Sequence, residues 1–229
     1  MKHLLLLHGA IGSSEQLQKL KDTLSDEFIV HSINFSGHGG IPLPSDAFSI
    51  ALFAADVISW MDTHSISHIA IFGYSMGGYV ALYLAKHHPD RIAKIFTLAT
   101  KFSWTPEIAA QEIKMLNAEK IEEKIPAFAE TLKKRHLAND WKIVLAKTIE
   151  MMLELGNKNA LTDNDYCCIE IPVILSIGDN DKMVSLNETS AVNKLLKNSE
   201  LLLLPNTSHP IETINVSLLS QHIRSFFKD

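Results

Sequence analysis

Six short apolar runs punctuate the chain, at residues 4–7, 28–33, 69–72, 95–98, 173–177 and 201–204. They are mostly continuous rather than alternating, and rich in Ile, Leu and Val. Strands covered on both faces of a parallel sheet read this way. Helix-like patterns separate them. Ser13-Ser14-Glu15-Gln16 has the form of a capping box and opens a helix through Leu17 and Leu20. Residues 48–62 and 77–87 carry helical periodicity, the second stopping ahead of Pro89, and 218–227 closes the chain. Strand alternating with helix predicts an α/β fold built on a doubly wound, mainly parallel six-stranded sheet.

The rhythm breaks at residues 105–160, which hold no strand-like run. Ile121, Ile125, Phe128 and Leu132 recur at helical spacing, as do Trp141, Val144, Leu145, Thr148, Met152 and Leu155. Pro106 and Pro126 suit the first turns of helices. The segment therefore reads as a helical insertion between the fourth and fifth strands. It divides the chain into a core of residues 1–100 and 166–229 and a cap or lid of residues 101–165. Between residues 107 and 158 there are nine acids and nine bases, so the charge run is a solvated face rather than a binding patch.

Composition narrows the function. A length of 229 residues fits one domain carrying an insertion, and a net charge of −5 argues against a nucleic-acid partner. No apolar run approaches the roughly 18 residues of a membrane span. Four leucines at the start are too few for the roughly 7–15 apolar residues of a secretion signal. Cys167 and Cys168 are adjacent, form no spaced framework, and read as partly buried thiols of a reduced, cytoplasmic protein.

Eight of the ten glycines fall in the first 78 residues, clustered after the apolar runs. The informative cluster is Gly73-Tyr74-Ser75-Met76-Gly77-Gly78, between a strand and a helix. A G-x-S-x-G string here marks a turn so tight that the residues two places before and after the serine must lack side chains. The serine hydroxyl then stands at the sheet's carboxyl edge. The Met76 amide, at the helix start, can face an oxyanion formed there. Such a hydroxyl needs a base and the base an orienting acid. His209, in Thr207-Ser208-His209-Pro210 after the last strand, supplies the base. Asp179 and Asp181 both follow the fifth strand; Asp181, in a Gly-x-x-Asp-x-x-Val frame, is the favoured acid.

With these residues in place the chain resembles the α/β-hydrolase superfamily over nearly its whole length. The resemblance also rests on Leu7-His8-Gly9-Ala10-Ile11-Gly12, Ser36-Gly37-His38-Gly39 and His88-Pro89-Asp90-Arg91. It implies a triad of Ser75, Asp181 and His209. It further implies an oxyanion hole made by the backbone N–H groups of Met76 and Ala10, with Ile11 as the alternative to Ala10. Many relatives have Asp and Arg where Asn34 and Ser36 stand, a change in the support of a loop. Glu212 matches a glutamate of the usual histidine loop. The first run begins at Lys2 or His3, so the fold is expected without the family's first two strands.

Other candidates read structurally. His8 and His38 sit in glycine-rich turns as hydrogen-bonding residues. His64 and His68 do not share a helical face, so no metal site is expected, and His87-His88 reads as a solvated helix end. Gly37-His38-Gly39-Gly40 lacks a phosphate-loop or dinucleotide pattern, so no cofactor is expected. The expected function is hydrolysis of an ester or related acyl bond in a small molecule through an acyl-enzyme. One alternative keeps the fold: a menaquinone-pathway type of lyase, which typically has Arg where Tyr79 stands, or a C–C hydrolase. The other is a ligand-binding receptor or interaction protein with a retained triad.

Overall fold

The computed structural model describes residues 1–228; Asp229, the last residue of the expected core, lies outside the described residues. Six strands, β1 (Lys2–Leu7), β2 (Phe28–Ile33), β3 (Ile69–Tyr74), β4 (Ile92–Leu98), β5 (Val173–Gly178) and β6 (Ser199–Leu204), form one sheet in the order β2-β1-β3-β4-β5-β6. Every pairing is parallel, so each crossover must carry the chain back over a face. On one face lie α1 (Gln18–Leu24) and α10 (Val216–Lys228), the helices that begin and end the chain. They enclose Leu4, Leu6, Leu20, Phe72, Phe96, Ile223 and Phe227. The opposite face carries α2 (Ile50–Thr63), α3 (Met76–His87) and α9 (Leu186–Leu195) over Leu5, Leu7, Phe53, Ile71, Val80 and Leu175. Adjacent leucines of β1 thus enter different cores and all four are fully buried, which is why the run does not alternate.

That reading fails at the sheet's edge. In β6, Leu202 and Leu204 pack with the α1/α10 core, whereas Leu201 and Leu203 are 37% and 47% exposed on a face left largely uncovered. A continuous apolar run alone does not tell a central strand from a half-covered one.

Between β4 and β5 come α4 (Pro106–Glu112), α5 (Ala118–Lys124), α6 (Pro126–Arg135), α7 (Trp141–Asn157) and α8 (Asp163–Cys167). Pro106 and Pro126 each occupy a first-turn position, where the missing N–H costs nothing. Ile121, Ala129, Leu132, Trp141 and Leu145 form a small core of their own. Ile125, expected beside Ile121 and Leu132, is instead exposed. It links α5 to α6 in a non-helical conformation (φ −137°, ψ 58°), so Pro126 starts a new helix and resets the period. Cys167 and Cys168 are exposed, not partly buried, because short α8 buries only Tyr166 and leaves its C-terminal end in solvent. Among the described residues no helix is long and apolar enough to cross a membrane, and no group of three His, Cys, Asp or Glu could hold a metal ion.

Candidate active site

Ser75 stands between β3 and α3 with φ +51° and ψ −118°, a left-handed conformation that a non-glycine residue adopts only when its surroundings enforce it. Hydrogen bonds to both its amide and its carbonyl do so. Its amide donates to Leu98 O at 2.8 Å, while its carbonyl accepts from Thr100 Oγ1 at 3.1 Å and from the Gly78 amide at 3.0 Å. The flanking glycines answer to a different demand. A Cβ on Gly73 would lie 2.5 Å from Gly77 O and the Gly78 backbone, and one on Gly77 would lie 2.5 Å from Leu7 O. The helix start is therefore pressed against both β3 and β1. Met76 opens α3, and its N–H has no carbonyl one turn back to bond.

Asp181 and His209 meet directly. His209 Nδ1–H donates to Asp181 Oδ2 at 2.8 Å. The other carboxylate oxygen of Asp181 accepts from the amides of Met183 (2.8 Å) and Val184 (2.9 Å), which fixes its orientation. Burial acts to raise the Asp181 pKa, but the His209 imidazole and those amides outweigh it and hold the carboxyl below its usual range. Asp179 has a different task. It accepts from the Thr207 amide at 3.1 Å, tying the β5 loop to the histidine loop, and the amides of Asn206 and Thr207 lower its pKa.

Ser75 and His209 open onto one small cavity of about 60 Å³ together with Ala10, Met76 and Tyr79. Among the described residues no hydrogen bond joins Ser75 Oγ to His209, an arrangement common in ligand-free sites that tighten on substrate. Ile50, Met183 and Val184 add apolar wall, as do Trp104, Met151, Met152 and Leu155 from the β4–β5 segment. The charged pair Lys101 and Glu112 completes the lining, 3.1 Å apart.

The turn after β1 closes through the Gly12 amide to Gly9 O at 3.1 Å. Ala10 faces the cavity, whereas Ile11 packs on the Ile121–Trp141 cluster with φ +50°. Behind the turn lie three buried histidines. His8 Nδ1–H donates to Gly9 O (2.7 Å) and its Nε2 accepts from the Phe35 amide (3.3 Å). His38 Nδ1–H donates to Ser36 O at 3.0 Å, with its Nε2 buried and unpartnered. His136 follows α6, its Nε2–H donating to Ile11 O at 3.1 Å and its Nδ1 accepting from the Gly39 amide at 3.3 Å. The His8–His38 and His38–His136 ring centroids are 5.3 and 5.6 Å apart. Burial brings the His38 pKa down to about 4 and holds that of His8 well below the ordinary value, with neighbouring imidazoles acting the same way. His8 and His38 are thus neutral hydrogen-bonding residues, as read from their turns.

Several contributors left no sequence signal. Ile11 O also accepts from Arg135 Nη1 at 3.1 Å, and Arg135 Nη2 reaches Glu212 Oε1 at 3.4 Å. Tyr74 Oη donates to His209 O at 3.0 Å, bracing the histidine loop. Asp56 takes both the amide and hydroxyl of Ser36 at 2.8 Å, while Asn34 bridges the Ser14 amide and Gly39 O. These bonds support the loop around Asn34 and Ser36. None of these partnerships follows a sequence spacing.

A family model described as the alpha/beta hydrolase fold matches residues 2–142. The chain is 24% identical to a pimeloyl-[acyl-carrier protein] methyl ester esterase of Neisseria meningitidis, over 91% of this chain and 87% of that one. It is 20% identical to a 2-(acetamidomethylene)succinate hydrolase of Mesorhizobium japonicum, over 97% and 87%. The enol-lactonase of Burkholderia xenovorans superposes with a TM-score of 0.82 at 18% identity, covering 100% of this chain and 92% of that one. With its six-stranded parallel sheet and strained serine turn, this chain belongs to the alpha/beta hydrolase fold family.

Proposed function

We propose that the protein is a serine hydrolase that cleaves an ester or related acyl bond of a small molecule through an acyl-enzyme on Ser75. The observation that carries this reading is the His209–Asp181 pair opening onto the same cavity as a serine held at φ +51°. In the first half-reaction Ser75 Oγ attacks the carbonyl carbon while His209 Nε2 takes its proton. Asp181 keeps Nδ1 protonated, so that Nε2 is the free base, and stabilises the imidazolium. The tetrahedral oxyanion sits between the amides of Met76 and Ala10. Ala10 is preferred to Ile11 because it lines the cavity. His209 then gives the proton to the leaving alcohol. Water, deprotonated by the same histidine, releases the acid and regenerates the serine. The reaction as written uses only this chain's groups and water.

Residues 101–165 act as a cap over the carboxyl edge of the core, 1–100 and 166–229. Supporting this, Trp104, Met151, Met152 and Leu155 share the cavity wall with Ser75 and His209. The esterase and hydrolase relatives are consistent with the reaction class. Fluorophosphonate labelling and turnover of chromogenic esters from acetate to decanoate, in wild type and Ser75→Ala, test the assignment. Both signals vanish in a folded Ser75→Ala protein; undiminished labelling sinks the proposal.

A further inference from the structure

Apart from the serine, the histidine, Tyr79 and Trp104, whose indole N–H is buried without a partner, the cavity wall is apolar but for one ion pair. Lys101 and Glu112 sit 3.1 Å apart with side chains only 15% and 13% exposed. Lys101 Nζ also donates to Met183 O at 2.9 Å, so two of its three N–H groups are taken. A lone lysine here would be a ready receptor for a carboxylate. With Glu112 beside it, the wall is neutral overall, and an entering carboxylate meets a like charge where it seeks its partner. A carboxylate bound there would lose most of its water without a free cation in return, which is costly in a site of low polarity.

We propose that Glu112 masks Lys101 and so makes this protein selective for short, uncharged acyl groups over acyl groups that carry a carboxylate. Size points the same way. A cavity of about 150 Å³ accepts benzene, so one of about 60 Å³ holds an acyl chain of roughly two to four heavy atoms. The chain lies along the thioethers and aliphatic side chains of Met151, Met152, Leu155 and Val184. The pair also joins the two parts of the site. Lys101 follows β4 and Glu112 ends α4, while Met183 belongs to the loop that carries Asp181.

The inference rests on the serine-hydrolase reading, so its test has an arm that needs no turnover. In the first arm, kcat/KM is compared for 1-naphthyl butanoate and 1-naphthyl hemisuccinate, whose four-carbon acyl groups end in a methyl and a carboxylate. Wild type favours the butanoate at least tenfold. Glu112→Gln, nearly isosteric, narrows or inverts that ratio, because it leaves the Lys101 charge unmasked. Lys101→Met/Glu112→Met, which removes both charges together, keeps the preference for the neutral ester. In the second arm, ligand-observed NMR follows methyl butanoate and monomethyl succinate on Ser75→Ala protein. Methyl butanoate alone binds, and adding Glu112→Gln brings in monomethyl succinate. Equal or better use of the hemisuccinate by wild type, or a ratio unmoved by Glu112→Gln, overturns the proposal. So does equal binding of the two methyl esters to Ser75→Ala. Loss of ester turnover with the binding preference intact would instead count against the serine-hydrolase reading alone.

Discussion

The buried histidine cluster behind the Ala10 turn should make the protein sensitive to acid. Burial takes His38 from its ordinary 6.5 to about 4. Above pH 6.5 both folded and unfolded chains hold it neutral, and it contributes no pH dependence. Between 6.5 and 4 the unfolded chain binds a proton that the folded one refuses, so stability falls as pH falls. The full span is worth about 3 kcal/mol, and 2 to 3 kcal/mol of it is gone by about pH 4.5. Below about 4 the folded state is protonated too, and the loss from this residue levels off. His8, lowered in the same direction, steepens the acid limb. Urea unfolding, followed by tryptophan fluorescence at pH 7.5, 6.5, 5.5 and 4.5, measures this directly. His38→Phe keeps a ring among Phe48, Phe53 and His8 but gives up the bond to Ser36 O. The variant should be less stable than wild type at pH 7.5, with the gap shrinking or reversing by pH 4.5. A gap that stays constant across the series refutes the argument, since the lost stability would then owe nothing to proton binding at His38.

Five other substitutions test individual positions of the site and its turns. Asp181→Asn should lower kcat by about 10³–10⁴-fold by letting His209 adopt the wrong tautomer, whereas Asp179→Asn should mainly lower the melting temperature; steady-state kinetics and thermal unfolding on the pair distinguish them. Arg135→Met removes one of two donors to Ile11 O and should reduce kcat about tenfold or more with little change in KM, as expected for a loosened oxyanion turn; a change confined to KM would contradict that role. Gly77→Ala places a Cβ 2.5 Å from Leu7 O and should prevent soluble folding or lower the melting temperature steeply, while Gly40→Ala, with open space around its Cβ, pays only for its positive φ.

How much of the molecule was legible depends on whether local chemistry or distant packing decides each feature. Gln16 Oε1 accepts from the Ser13 amide at 3.0 Å, one half of the expected capping box, because the partners lie three residues apart. Pro106 and Pro126 open helices for an equally local reason. Ser75 could be singled out because its glycines record the contact with β1. Ile125 misled because periodicity carries no mark of a break until the chain turns at Pro126. Leu201 and Leu203 misled because coverage of a strand face depends on helices elsewhere in the chain.

The sequence by itself determined the strands of the sheet and the tight serine turn, and it singled out Ser75, His209 and two aspartates as candidate groups, since periodicity, capping and glycine placement are local properties. The Gly-x-x-Asp-x-x-Val frame favoured Asp181 over Asp179, and the tertiary structure supplied the contact itself, bringing Asp181 to His209 across 28 residues of sequence. It alone brought Arg135 and His136 onto the carbonyl of Ile11 and set Glu112 against Lys101. A parallel sheet gathers its loops at one edge while their residues remain far apart along the chain. Which carboxylate faces which cation there is settled by crossover geometry and packing, and no spacing rule along the chain records it.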